Sequence, residues 1–332
     1  MNQELFRNSF EKTPRNERDN KKSIEVSPGV HSHASVSVRK LEKRIVRLSA
    51  KAIADYNMIE DGDKVLVAIS GGKDSYVLLE TLMKLQSRAP IRFSLLAVHV
   101  DQCIPGSDTA SIENFLKKTN VPYHIETQDT HSIIKRLIPS STNICSLCAR
   151  LRRGILYRVA REHNCSKIAL GHQMDDVVST LLLNMFYGGR IKAMPPILKS
   201  DDKKNIVIRP LVYIREFETE KWARIREFPV SPKHLCGSAE NKKRQEIKAL
   251  LNDWDKHFDG RIYNLFMSTT RVAPSQLADK TLFDFVRFQR QMASQAPLSP
   301  EKESHAANPI ELDAEKELSP LQIRIVPWRT PF

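Results

Sequence analysis

Short apolar runs alternate with helical segments through the middle of this 332-residue chain. Five such runs lie at residues 64–70, 92–100, 122–127, 167–172 and 205–211. Each run is short enough for a buried strand, and the segments between them suit helices. The alternation predicts a doubly wound parallel α/β sheet. Ligands bind at the carboxyl ends of the strands in such sheets, so the residues after each run are candidates for function.

The residues that follow the first run, SGGKDS at 70–75, have the composition of a phosphate-binding loop. Gly71 and Gly72 let the backbone approach an anion, and the helix that follows presents its positive end. The common ATP and GTP loop carries a glycine at the position of Val67, so this loop is of another type. The remaining loop residues supply two hydroxyls, one amine and a carboxylate that suits a magnesium ion: Ser70, Ser75, Lys73 and Asp74.

Composition divides the chain into four parts. Residues 1–38 and 289–332 lack a sustained period, and we expect both to be disordered tails. Residues 39–215 carry the alternating pattern, and residues 216–288 are predicted to form a helical extension of the same domain.

The charge is strongly basic and unevenly distributed. The formal net charge is +13, and residues 41–288 account for +11 of it. A basic excess within the folded part favours a polyanionic partner. No apolar run approaches the ~18–20 residues that cross a membrane, and the first 40 residues hold no secretory signal. We therefore expect a cytoplasmic protein without membrane contact.

Three of the five cysteines form a candidate metal or redox site. Cys145 and Cys148 have Cys-x-x-Cys spacing at the edge of a predicted helix, and Cys236 follows 88 residues later. Three alternatives remain open on spacing alone: a structural zinc with His234 as fourth ligand, a redox dithiol, or an iron–sulfur cluster with three protein ligands. The other two cysteines are expected to be buried thiols: Cys103 and Cys165.

A basic stripe follows the cysteines on the same predicted helix. Its members recur at helical spacing: Arg150, Arg153, Tyr157 and Arg161. The opposite face is apolar and is expected to be buried: Leu147, Leu151, Ile155 and Val159. Arginines interleaved with a tyrosine suit the phosphates and bases of an RNA loop. Arg190, in a predicted loop over residues 187–197, is expected to extend this surface.

Several motifs together resemble one enzyme family. SGGKDS resembles the loop of the PP-loop ATP pyrophosphatases, and GHQMDD at 171–176 resembles a second nucleotide motif of theirs. With the Cys-x-x-Cys and the later lone cysteine, the chain is similar to the tRNA 2-thiocytidine synthetases. The likeness extends to LLNMFYGGR, PLVYIRE, LCGS and DWDKHFDGRI in family order, and covers roughly residues 40–288.

The resemblance implies an adenine-nucleotide alpha-hydrolase-like PP-loop fold that binds ATP and Mg²⁺. It places ATP at residues 70–75 and near the ends of later strands, at Val100, Gly171 and Asp175. It assigns magnesium to Asp74 and Asp175. We expect Lys73 and Asp74 to be catalytic on this basis.

The resemblance also assigns Cys145, Cys148 and Cys236 as the ligands of a 4Fe–4S cluster, and these cysteines then join the catalytic set. Some members of the family carry a further cysteine three residues before the last ligand, where this chain has Lys233. That position therefore offers no alternative ligand, and His234 is the residue that keeps zinc open.

The implied reaction is ATP-dependent 2-thiolation of cytidine 32 in the tRNA anticodon loop. ATP adenylates the C2 oxygen, and sulfur held on the open iron displaces AMP from a base that has left its stack. The resemblance further implies a cysteine desulfurase as sulfur donor and a homodimer. Two alternatives are a tRNA 2-thiouridine synthetase, whose relatives commonly add cysteine-rich modules that this sequence lacks, and a non-catalytic RNA-binding protein with a structural zinc.

Overall fold

A sheet of six strands lies at the centre of the part of the chain that the structure describes. The computed structural model describes residues 36–137, 144–200, 202–231 and 241–294. The strands are β1 (Lys64–Ile69), β2 (Ser94–Asp101), β3 (Tyr123–Thr127), β4 (Lys167–Ala169), β5 (Ile197–Lys199) and β6 (Ile206–Ile208). Their order across the sheet is β3-β2-β1-β4-β6-β5.

All neighbouring strands are parallel except β5 and β6. This arrangement confirms the predicted doubly wound α/β class. The direction of winding reverses at β1, which pairs with β2 on one side and β4 on the other. Ligands bind in the crevice at such a reversal, beyond the carboxyl ends of the strands.

The antiparallel edge strand β5 was not predicted. It follows directly from the segment expected to be a loop, and the strand expected at 205–211 is limited to Ile206–Ile208. Three residues are too few to show a period, and Leu198 and Lys199 are exposed. The sequence therefore carried no signal strong enough to reveal β5, whereas β6 lies within the predicted strand.

Helices connect the strands and continue after them. They are α1 (Val36–Asp55), α2 (Lys73–Gln86), α3 (Thr109–Lys117), α4 (Thr130–Leu137), α5 (Ile144–Glu162), α6 (Met174–Gly188), α7 (Glu216–Arg226), α8 (Asn241–His257), α9 (Arg261–Ser268) and α10 (Phe285–Ser294). The helical C-terminal extension is therefore present, beginning with α7. No helix in the described ranges is long and apolar enough to cross a membrane.

The sheet is buried on both faces. Val65 and Val67 of β1 belong to the larger apolar cluster with α1, α2 and α6, whereas Leu66 points into a smaller cluster with α5. All three side chains are fully buried, because a parallel sheet covered by helices has no solvent face. The carboxyl edge of the sheet is thus where its strands present polar groups.

The chain divides into two compact units, one up to Val272 and one from Ala273. In the second unit the structure describes a short 3-10 turn at Pro274–Gln276 and the helix α10. Phe283 packs edge-on against Phe285, with ring centroids 4.9 Å apart. Helix α10 extends to Ser294, past the boundary predicted at residue 288.

Candidate functional site

The turn between β1 and α2 forms the candidate phosphate loop. Gly71 has φ +77°, a left-handed conformation that glycine adopts without strain. The Ser70 amide donates to Ser75 Oγ over 3.2 Å, and Ser75 Oγ donates to the Gly72 carbonyl over 2.7 Å. Gly72 caps α2 without a side-chain hydrogen bond. The first amides of α2 therefore face the loop with the positive end of the helix dipole, as anion binding requires.

Gly171, after β4, lies against the start of α2. A Cβ atom built on Gly171 would meet the Asp74 carbonyl oxygen at 2.9 Å and the Ser75 amide nitrogen at 3.1 Å. Only glycine allows this approach without a shift of the backbone. The predicted nucleotide residue is thus in direct contact with the phosphate loop, through its backbone.

Lys73 and Asp74 belong to a small charged cluster. Lys73 Nζ lies 2.9 Å from Asp74 Oδ2 and 3.3 Å from Glu216 Oε1. Thr219 Oγ1, fully buried on α7, lies 2.6 Å from Asp74 Oδ1. Burial alone lowers the pKa of Lys73, but the two carboxylates more than offset it and hold that pKa above its ordinary value. Lys73 is therefore a cation beside the loop.

Asp175 faces a different partner from the one predicted. Its carboxylate accepts hydrogen bonds from the Arg215 guanidinium at 3.2 Å and from the Glu216 amide at 2.7 Å. Arg215 also bonds Asp255 on α8 at 3.0 Å. Asp175 thus joins α6 to α7 and α8, and it becomes available to a magnesium ion only by leaving Arg215.

Asp176, next along α6, is the last residue of the GHQMDD motif. Its carboxylate accepts the Gln173 amide at 3.0 Å in a capping box. Burial, together with the carboxylates of Asp74 and Glu216, raises the pKa of Asp176 to about 6. The structure therefore adds a largely buried carboxyl group near Asp74, and the charge of Asp74 contributes to its raised pKa.

Cys148 lies at the same edge of the sheet. Its Sγ is 3.3 Å from Nε2 of Gln102, which directly follows β2 and is buried. The Gln102 amide also donates to Thr130 Oγ1 over 2.7 Å, which fixes its orientation. Gln102 is a partner of Cys148 that sequence reasoning missed, although it follows a strand end, where function was expected.

The other cluster residues are described in part or not at all. Cys145 lies on α5, three residues before Cys148, but its side chain is outside the described part, as are Cys236 and His234. In the remainder no group of three or more His, Cys, Asp or Glu side chains is placed to hold a metal ion. The positions of Cys145 and Cys148 lie three apart on one helix, the spacing on which the prediction of a shared site was based.

The segment before Cys236 begins at the phosphate loop. The Ser231 amide donates to the Gly71 carbonyl over 2.9 Å. Tyr76, on α2, donates its hydroxyl to the Pro229 carbonyl over 3.0 Å, and burial raises the pKa of this phenol to about 12. The last described residue before 232–240 is thus hydrogen-bonded to the phosphate loop.

The other cysteines differ from expectation. Cys103 is exposed rather than buried, in a turn with φ +56° where its amide donates to Asp101. Cys165 is half-buried.

Val100, a residue predicted to bind ATP, has its side chain buried in the core, so only its backbone faces the end of β2.

The basic stripe is spread along α5. Arg150 and Arg153 are exposed near the Cys148 end, and Tyr157 packs against the smaller core cluster. Arg161 lies at the opposite edge of the sheet, 3.7 Å from Asp202. Ile155 and Val159 are buried as predicted, whereas the earlier members of the apolar face, Leu147 and Leu151, are half-buried.

Arg190 is exposed after the last turn of α6. Because α6 starts at the carboxyl edge, its 15 residues at about 1.5 Å each place Arg190 roughly 20 Å away from the loop. The structure does not bring Arg190 together with Arg150.

Comparison with known proteins places this geometry in a family context. The model of a PP-loop domain family matches residues 38–229. A protein of Burkholderia orbicola named tRNA-cytidine(32) 2-sulfurtransferase is 59% identical over 246 residues, which are 74% of each chain. A protein of the same name from Paraburkholderia phytofirmans is 54% identical over 274 residues, 82% of this chain and 78% of that one.

Among solved structures, the U34-tRNA thiolase NcsA from Methanococcus maripaludis, with its 4Fe–4S cluster, is similar. It shares 25% sequence identity with a TM-score of 0.56, over 70% of this chain and 78% of that chain. Both comparisons concern proteins that act on tRNA.

Proposed function

Since this chain belongs to the tRNA-cytidine(32) 2-sulfurtransferase family and is a PP-loop tRNA sulfurtransferase, we propose that it thiolates C2 of cytidine 32, spending ATP as AMP and pyrophosphate. The observation that carries the proposal is that the phosphate loop and Cys148 lie at the same edge of the sheet, where the parallel strands have their carboxyl ends. The phosphate loop follows β1, and Cys148 contacts the residue that follows the neighbouring strand β2. A nucleotide and a sulfur site on adjacent strand ends can act on one base.

The first step is assigned to the loop. The cytidine C2 oxygen attacks the α-phosphorus of ATP, a C2–O–P linkage forms, and the bond to pyrophosphate breaks. The free amides of α2 and the Lys73 cation stabilise the charge on the departing phosphates. Asp74 and Asp175 are the residues that would hold a magnesium ion, which would supply positive charge to these phosphates.

In the second step a sulfide-level sulfur forms a bond to C2, the C2–O bond breaks, and AMP leaves carrying the former C2 oxygen. A 4Fe–4S cluster held by Cys145, Cys148 and Cys236 supplies the sulfur when it is bound. The role of Gln102 is to donate its amide hydrogen to the sulfur of Cys148 and so hold that side chain in place.

Chain length supports Cys236 as the third ligand. Ser231 is fixed at Gly71, and the five residues onward to Cys236 span at most about 18 Å. A segment of that reach can serve a site beside the loop. The thiolate ligands are soft, as an iron–sulfur cluster prefers.

The RNA surface is proposed to include Arg150, Arg153 and Tyr157, with Arg161 and Arg190 contacting more distant parts of the tRNA. A cysteine desulfurase is the proposed sulfur donor. We also propose a homodimer, as the family resemblance implies.

A tRNA 2-thiouridine synthetase is the second candidate, favoured by the likeness to the U34 thiolase. Thiolated-nucleoside analysis of a deletion strain separates the two. We expect loss of 2-thiocytidine with 2-thiouridine intact; the reverse pattern would sink the proposal.

Complementation of that strain tests the ligand set. Cys236→Ala should abolish thiolation and, after anaerobic purification, the absorption of the cluster, while ATP binding stays within about twofold of wild type. Retained thiolation would contradict the assignment. A colourless wild-type protein with one zinc and no pyrophosphate release would favour a structural metal instead.

A further inference from the structure

Arg209, the residue after β6, is a buried cation that forms no ion pair with any residue in the described ranges. Only 7% of it is exposed. Its Nη1 donates to the Pro195 carbonyl over 2.5 Å, while its Nε has no acceptor within the described chain. Burial lowers the pKa of Arg209, and Tyr157 and Asp176 offset this only from a distance. A buried charge is costly unless it is paired.

His172 lies beside Arg209 and is also unsatisfied. Its buried Nδ1 has no hydrogen-bond partner in the part of the chain that the structure describes. Burial, and then the guanidinium groups nearby, lower the pKa of His172 to about 4. The imidazole is therefore neutral at physiological pH and can donate one hydrogen bond without adding charge.

Further arginines converge on His172 from other elements. Those close enough to act on it are Arg209, Arg152, Arg244 and Arg153. We call His172 with these four residues the arginine cluster. Arg244 lies in the first turn of α8, which holds no acidic residue, so the helix dipole adds to the positive potential. The three exposed arginines have no ion pair with an aspartate or glutamate among the described residues.

Members of the cluster adjoin both halves of the candidate site. His172 follows Gly171, which contacts the phosphate loop at Asp74. Arg152 lies four residues after Cys148 on α5, so the two side chains share one face of the helix. An anion held here would lie between the nucleotide and the sulfur.

We propose that the arginine cluster binds a backbone phosphate of the RNA beside the cytidine that reacts. The inference rests on the proposed function and adds a site to it. Guanidinium groups match phosphate oxygens in pairs. The exposed Arg152, Arg153 and Arg244 can reach a phosphate, and the buried charge of Arg209 adds to the positive potential behind them. The phosphates of ATP are assigned to the amides of the loop. The anion that binds the arginine cluster is therefore assigned to the RNA. Its binding would fix the target base between adenylation and thiolation.

The test uses the full chain and a tRNA anticodon stem–loop. Arg209→Gln removes the buried charge, and the double variant Arg152→Gln/Arg244→Gln removes two exposed charges of the same cluster. Arg88→Gln is the control, since Arg88 is exposed beyond the far end of α2, at the opposite edge of the sheet. Fluorescence anisotropy gives the RNA Kd at several salt concentrations, and equilibrium dialysis gives the ATP Kd.

We expect each cluster variant to weaken RNA binding about 10- to 100-fold, with ATP affinity unchanged. Arg209→Gln should also reduce the slope of log Kd against log salt by about one. A methylphosphonate linkage beside the target cytidine should weaken binding to wild type, yet add little to the loss in Arg209→Gln. Arg88→Gln should bind RNA like wild type.

RNA affinity within about twofold of wild type in the double variant would overturn the proposal. So would a loss of ATP affinity with RNA binding intact, which would assign the phosphate to the nucleotide. If Arg209→Gln fails to fold, the exposed double variant decides. A wild-type protein that neither binds nor thiolates tRNA would instead refute the proposed function.

Discussion

A methyl group added at Gly171 would collide with the phosphate loop and displace it. The neighbouring atoms are backbone atoms of Asp74 and Ser75, which cannot rotate away as a flexible side chain would. Any substitution must move either the end of β4 or the start of α2. The position of the loop amides therefore depends on a residue that lies about a hundred positions further along the chain.

Gly171→Ala should lower ATP affinity by about tenfold or more, because anion binding needs the amides of α2 in place. Isothermal titration with ATP measures this. The control is Gly154→Ala on α5, where a Cβ meets nothing within 4 Å. That variant should bind ATP normally and gain up to about 1 kcal/mol in stability from helix propensity. Equal ATP affinity in the two variants would show that the contact does not matter.

Asp176 gives the folded protein a pH dependence of known sign. Its pKa of about 6 lies above the ordinary 3.8, so the native state holds this proton more tightly than the unfolded chain. The protonated Asp176 therefore stabilises the native state relative to the unfolded chain. This contribution is present in full below about pH 4 and is lost as the pH rises through 6. A difference of about two units corresponds to roughly 3 kcal/mol.

Asp176→Asn removes this titration while keeping an oxygen for the Gln173 amide. Its free energy of unfolding, relative to wild type, should rise by roughly 2–3 kcal/mol between pH 4 and pH 7. Urea unfolding at four pH values measures the change. Asp253→Asn, at an exposed position on α8, should stay within about 0.5 kcal/mol of wild type throughout. A flat difference for Asp176→Asn would contradict the raised pKa.

Single residues differed in how far the sequence revealed them. The loop residues 70–75 were predictable because glycines, hydroxyls and a cation follow a strand in one contiguous motif. Gln102, Arg209 and Thr219 were not, because each acts through a partner that only the fold brings near. Adjacent motif residues can also diverge: Asp175 bonds Arg215, whereas Asp176 lies near Asp74.

Among the elements, α6, α7 and α8 are joined by one arginine. Arg215, at the start of α7, bonds Asp175 on α6 and Asp255 on α8. Its side chain is 14% exposed and that of Asp175 17%. The network orients α7, which in turn supplies Thr219 and Glu216 to the loop.

Arg215→Met should destabilise the protein by about 2–4 kcal/mol, because it leaves the carboxylate of Asp175 largely buried and unpaired. Arg224→Met is the matched control, as Arg224 pairs with Glu220 on the same helix but is 77% exposed. That change should cost about 0.5 kcal/mol or less. Urea unfolding of both variants compares them, and similar losses would show that the Arg215 network adds no more than a surface pair.

Elements were predictable where their pattern was long. Helix α2 matches the predicted segment because apolar residues recur along its full length, and β1 is a continuous apolar run. Strand β5 escaped because its three residues carry no apolar run and two of them are exposed, whereas β6 lies within the run predicted as a strand at 205–211. Helix α5 was predicted, but the prediction treated Arg161 only as a member of the basic stripe. In the structure Arg161 pairs with Asp202, which is distant in sequence.

For the molecule as a whole, the fold separates two chemical tasks and then brings them to one edge. The loop after β1 handles phosphate, and the helix α5, which packs across β2 and β4, carries Cys148 to the same edge. Sequence order alone did not show this, since the residues are more than seventy positions apart. The tasks should therefore be separable by mutation.

Cys148→Ser removes one of the proposed cluster ligands and leaves the loop untouched. In the full chain with tRNA and ATP, we expect it to release about one pyrophosphate per bound tRNA in the first turnover and to form no 2-thiocytidine. Asp74→Asn should show the opposite defect, with cluster absorption retained and pyrophosphate release reduced by about 100-fold. Rapid-quench assays with labelled ATP measure the burst, and nucleoside analysis measures thiolation. If Cys148→Ser releases no pyrophosphate although it binds ATP and tRNA normally, adenylation depends on the sulfur site, and the two steps are not separate.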